Sequence, residues 1–129
     1  MTRERGAVAP VLLGVAGVVL VLAVGVADVG ILLAARLQAS AAADAAALAA
    51  APVTFQPFGA AAGPVEEARR LAAANGARLV VCACRTDPSW EARTVSVVVE
   101  RRVALIGFGA VTATASSRAE FDPAKLLGP

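Results

Sequence analysis

The stretch Ala7–Ala27, AVAPVLLGVAGVVLVLAVGVA, holds 21 consecutive residues without a charge. As an α-helix it would span roughly 30 Å, the thickness of a bilayer's hydrocarbon core. Met1-Thr2-Arg3-Glu4-Arg5-Gly6 precedes it and Asp28 follows. The excess of positive charge on the leading side predicts a cytoplasmic N-terminus, with the rest of the chain outside. Pro10 is predicted in the first helical turn, where its missing N–H has no intrahelical partner. Gly14 and Gly17 are three apart rather than four, which is not the GxxxG packing motif. A cleaved signal peptide is the rival reading, with Gly25-Val26-Ala27 as a small-x-small site and cleavage between Ala27 and Asp28. The run is longer than the 7–15 residues usual for a signal h-region, which favours a retained anchor.

Beyond the run, Ile31–Ala51 is almost pure helix former, with no Gly or Pro until Pro52. Asp28, Arg36, Ser40 and Asp44 fall on one broad face, while Leu33, Leu37 and Leu48 are scattered. One helix from Ala7 to Ala51 would be about 65 Å long, half in lipid and half projecting outward. Its thin alanine surface suits close packing against a helix or a sheet. The N-terminal half of the chain therefore divides into a cytoplasmic end (1–6), a transmembrane helix (7–27) and an Ala-rich helical stalk (28–51).

The remainder reads as a small α+β head. Residues 52–63 are a linker rich in Pro and Gly. Pro64 opens a helix over 64–75, with Glu66 and Glu67 at the positive end of its dipole and Asn75-Gly76 as its stop. Alternation and β-branched residues predict strands at 77–84, 93–103 and 111–117. Asp87-Pro88-Ser89 forms the first connection, and Leu105–Gly109 is a turn or a short membrane-proximal segment. The head spans 64–118, and 119–129 is expected to be a flexible tail. A core of this size is marginal alone and is expected to lean on the stalk or on a neighbouring subunit.

The composition narrows the chemistry. The chain has 129 residues, 58% hydrophobic and 17% charged, with 33 alanines and no His or Tyr. Imidazole-dependent nucleophilic catalysis and His-ligated zinc or haem are excluded. A net charge of +2 is too small for a nucleic-acid footprint. No cofactor, metal site, catalytic residue or small-molecule substrate is expected. On a regular strand the Cα atoms of Cys82 and Cys84 would stand about 6.6–6.8 Å apart, at the edge of what a disulfide spans. An intrachain disulfide, a bridge to a second chain and a pair of buried thiols all stay open.

Taken together, Arg5-Gly6-Ala7-Val8-Ala9-Pro10, the apolar run, Asp28-Val29-Gly30, Arg36-Leu37-Gln38 and AAADAAALAA over 41–50 resemble the TadE/TadG-like proteins of Tad (Flp) pilus-assembly systems. NGARLVVC over 75–82 and ATASSRAE over 113–120 also fit. The pattern is most similar to a short actinobacterial TadE-like branch, in keeping with eleven Arg against one Lys. The resemblance implies a non-enzymatic, pilin-like component: a single-pass inner-membrane helix extending into a stalk with an extracytoplasmic head. Implied partners are other pilin-like subunits and the inner-membrane platform, besides the lipid bilayer itself. In pilin-like subunits cut by prepilin peptidase, a Gly precedes a hydrophobic run with Glu at its fifth position. Here Gly6 and Ala7 mark that processing site, but the fifth residue is Val11. This departure favours a retained, TadG-like component.

Two other functions compete with the membrane component. One is a secreted protein whose residues 1–27 are a signal peptide. The other is an envelope redox protein using Cys82 and Cys84. Glu100-Arg101-Arg102 reads as a solvated strand end whose arginines could reach lipid head groups. Trp90 reads equally as a core plug or an interface anchor.

Overall fold

A computed structural model describes residues 5–56 and 61–128. Residues Arg5–Val53 form one unbroken α-helix, α1, of 49 residues, about 73 Å long. Its start at Arg5 places Pro10 just past the first turn, so the helix forgoes one backbone hydrogen bond there rather than none. At the far end the Thr54 hydroxyl donates to the Ala51 carbonyl at 2.6 Å, closing the last turn after Pro52.

A second helix, α2 (Pro64–Ala74), starts with Pro at its first position and carries Glu66 and Glu67 in its first turn. The two glutamates pair with Arg69 and Arg70 on the helix surface. The helix stops where Gly76 takes φ +71°. The N–H groups of Gly76 and Ala77 then donate back to the carbonyls of Ala73 and Ala72, each at 2.9 Å. A Cβ at Gly76 would also press on the tip of the Arg101 side chain, which can move aside, so the positive φ is what calls for glycine.

The sheet is antiparallel with strand order β1-β2-β3, where β1 is Arg78–Ala83, β2 is Arg93–Leu105 and β3 is Gly109–Phe121. Both longer strands outrun the alternation visible in the sequence. The β2–β3 ladder pairs residue for residue from Arg93↔Phe121 to Leu105↔Gly109, leaving Ile106-Gly107-Phe108 as the loop. The ladder supplies partners that local sequence cannot reveal, so β3 continues to Phe121 where a flexible tail was expected. Ala119 and Pro123 are buried, and a short 3-10 helix, Pro123–Leu127, follows.

The C-terminal half of α1 lies along this head as its central element. The alanines at 42, 43, 46, 47 and 50 are fully buried. They pack with Ala68 and Ala72 of α2 and with Val95, Val97 and Val99 of β2. Nearer the N-terminus, Ala35 and Ala39 meet Ala113 of β3. The stalk does not project free: it is the core of the head. Alanine serves here because a side chain of one methyl lets a helix and a sheet approach closely on every turn. The fold is α+β, a long apolar helix followed by a helix-plus-sheet head.

Candidate functional site

Residues 8–23 of α1 are all exposed. Leu13, Leu20, Val21 and Val26 are 74%, 68%, 70% and 74% exposed, and bulky apolar side chains point outward all round. This is a helix long and apolar enough to cross a membrane, close to the N-terminus. A soluble helix buries one stripe and wets the other; a helix apolar on every side needs an apolar medium. Cβ atoms built at Gly14 and Gly17 meet nothing within 4 Å among the described residues, so these two glycines mark no close packing within them.

Asp28 closes the uncharged run and is only 4% exposed. Its carboxylate accepts from the backbone N–H of Ile106 at 2.6 Å and of Gly107 at 2.8 Å. The head's hairpin tip is thus fastened to the end of the apolar run. A Cβ at Gly107 would stand 3.1 Å from Asp28 Oδ2 and 3.2 Å from Val24 Cγ1, so the turn lies flush on the helix. The sequence marked Asp28 as a flanking charge and a cleavage position; its acceptor role depends on a contact across 78 residues and left no local signal.

Above Asp28, α1 has two unlike faces. The alanine face is covered by the head. On the uncovered side Leu33, Leu37 and Leu48 are 55%, 73% and 69% exposed, among exposed Arg36, Ser40 and Asp44. The expected polar face therefore includes Arg36, Ser40 and Asp44 but not Asp28, and the three leucines share it.

At the far end of the head, Arg93 organises the β1–β2 connection. Its guanidinium donates to the backbone carbonyls of Thr54, Asp87, Ser89 and Glu91, and its carbon lies 5.6 Å from the Phe55 ring centroid. Trp90 packs edge-on against Phe55 with centroids 4.9 Å apart, which places it at the end of α1 remote from the apolar run. The Asp87 N–H donates to the Thr54 carbonyl at 2.9 Å. The Asp87 carboxylate accepts from the Ser89 N–H at 2.8 Å. That bond, with the nearby Arg93 and Arg85 charges, holds its pKa below the ordinary carboxylate value.

Cys82 and Cys84 are joined as a disulfide, with Cα atoms 5.2 Å apart. The separation is shorter than on a regular strand, and Cys84 lies just past the end of β1 at Ala83, outside the extended ladder. Cys84 is 8% exposed and belongs to the core beneath the sheet. Glu100 pairs with Arg78, and Arg101 donates to the Gly76 carbonyl at 2.7 Å. Arg102 is exposed three residues from the end of β2, on the side toward the hairpin tip. Gly6 lies within α1, and Ala27–Asp28 sits in its unbroken middle. Residues 1–4, including Arg3 of the charged flank, fall outside the described residues. Among the described residues no group of three or more acidic, Cys or His side chains could hold a metal ion.

Comparison with curated proteins and with solved structures finds no match. A family model does match, that of the Flp pilus-assembly TadE/G-like proteins, over residues 6–56. Those residues run from the start of α1 through the turn that follows it, so the similarity covers the apolar helix and its alanine-faced continuation, and the rest of the head lies outside it.

Proposed function

We propose that the chain is a non-enzymatic, membrane-anchored component of a Tad/Flp-type pilus or secretion apparatus. Residues 7–27 cross the inner membrane once, residues 1–6 stay cytoplasmic, and the head stands outside. The observation that carries this reading is the division of one continuous helix. Its first half is apolar and exposed over residues 8–23, its second half is the core of a folded head, and the TadE/G-like match covers both. Because no joint separates the halves, the head is held at a fixed height and angle, as a subunit packed among other helices requires.

The leucines on the uncovered side of the stalk supply a contact surface for neighbouring pilin-like helices, continuous with the exposed apolar surface below Asp28. The exposure of Arg102 near the tip end of β2 supports a contact with anionic head groups. Retention rather than signal-peptide cleavage is supported by the helix through Ala27–Asp28, which offers a protease no extended segment. The disulfide fits an oxidising extracytoplasmic compartment. A structural role for it is favoured over redox catalysis, because Cys84 lies in the core.

Alkaline extraction followed by protease treatment of spheroplasts tests the reading. The chain should resist extraction, and external protease should remove the head while sparing a fragment that contains residues 5–27. A fully extractable chain, or a head protected in intact spheroplasts, would overturn it.

A further inference from the structure

We infer that the β2–β3 hairpin tip, Ile106-Gly107-Phe108, is a second membrane anchor that dips into the outer leaflet beside the span. The inference rests on residues 7–27 being that span. Phe108 and Ile106 are 78% and 66% exposed, the two bulky side chains of a three-residue turn. Phe108 lines an apolar groove together with Leu20, Val21, Val24 and Gly25 of α1. Leu20 lies eight residues before Asp28, about 12 Å down the helix axis. Whatever medium surrounds Leu20 and Val21 on this side therefore surrounds Phe108 as well. The tip cannot stay in water while its helical neighbours are in hydrocarbon.

Backbone polarity is the usual obstacle to placing a turn in lipid, since an N–H without a partner is costly there. Here the Ile106 and Gly107 N–H groups already donate to the Asp28 carboxylate. The same two bonds give Asp28 its partners at the membrane boundary, where an unpaired carboxylate would be unfavourable. Gly107, with no side chain, lets the turn lie against Val24. The pattern predicts an occupant of hydrocarbon character: the acyl chains next to α1, not a soluble ligand.

The test uses the full chain in vesicles of phosphatidylcholine and phosphatidylglycerol whose acyl chains carry bromine. Trp90 is the sole tryptophan, so Trp90→Phe provides a silent background. Three tryptophan reporters are compared: Phe108→Trp in that background, Leu13→Trp in that background, and the native Trp90. Phe108 is exposed, so its replacement leaves the core intact; Ile106→Trp serves as a second tip reporter. The tip and Leu13 reporters should lose most of their emission to bromine, with a blue-shifted maximum, while native Trp90 stays bright. Quenching at Leu13 with both tip reporters bright would overturn the second anchor and leave the span standing. If Leu13 is also bright, the span itself fails and this inference falls with it.

Discussion

Asp28 Oδ2 accepts a hydrogen bond from the Gly107 N–H at 2.8 Å, tying the end of the uncharged helical run to a turn 79 residues later. With the parallel bond from Ile106 it fixes where the head sits along the helix. Asp28→Ala strips two N–H groups of their acceptor, at a cost of about 1–3 kcal/mol. The amides of Ile106 and Gly107 should exchange hydrogen much faster, while those of Val97 and Val99 keep their protection. Hydrogen-exchange mass spectrometry in detergent micelles measures both. Unchanged exchange at the tip would show that the contact does not hold the hairpin.

The buried alanine face and the exposed leucine side should respond oppositely to substitution. Ala46→Leu forces three extra carbons into a fully buried site between α1 and the head, which should cost about 1–3 kcal/mol through overpacking. Leu37→Ala, on the uncovered side, should change the stability of the isolated chain by less than about 0.5 kcal/mol. It should nevertheless weaken cross-linking to neighbouring subunits in cells. Thermal unfolding followed by circular dichroism, together with cross-linking yield, separates the two effects.

Arg93 is the hub of the β1–β2 connection, and its geometry needs a guanidinium. Lysine offers a single ammonium and cannot span the four carbonyls that Arg93 reaches. Arg93→Lys should cost about 1–3 kcal/mol in lost charge-assisted bonds. The segment 85–92 should become the first site of limited proteolysis. Resistance equal to that of the parent chain would refute this role.

Much of the architecture was legible in the sequence. The uncharged run, the alanine-rich continuation, the Pro64 start and Asn75-Gly76 stop of α2, and the valine alternation of β2 each carry their signal locally. What was hidden depends on contacts far apart in the chain. The ladder from Leu105↔Gly109 to Arg93↔Phe121 lengthens β2 and β3 beyond their alternating cores. The role of Asp28 requires the hairpin tip, and the role of Arg93 requires the end of α1. The alanine face was recognisable as a thin surface, but its occupant became identifiable only once β2, β3 and α2 were seen packed on it.

Acid should loosen the end of the head that holds Asp87. Its carboxyl has a lowered pKa because it accepts the Ser89 N–H and faces Arg93 and Arg85. A carboxylate with a lowered folded-state pKa contributes stability above its unfolded pKa, and that contribution is lost as pH falls through the folded value. The unfolding midpoint should therefore hold steady from neutral pH down to the ordinary carboxylate range and fall below it. Asp87→Asn should flatten the acid limb of that profile and leave the neutral limb alone. An identical acid limb in both chains would remove Asp87 from the account.

The central claim is that one retained helix both crosses the membrane and forms the core of the head. The intact mass and N-terminal sequence of the chain from fractionated cells test it most directly. The account predicts membrane-bound material beginning at Met1 or Thr2; a start at Ala7 would retain the helix and add prepilin-type processing after Gly6. A soluble chain beginning at Asp28, cut free of its first 27 residues, would contradict it.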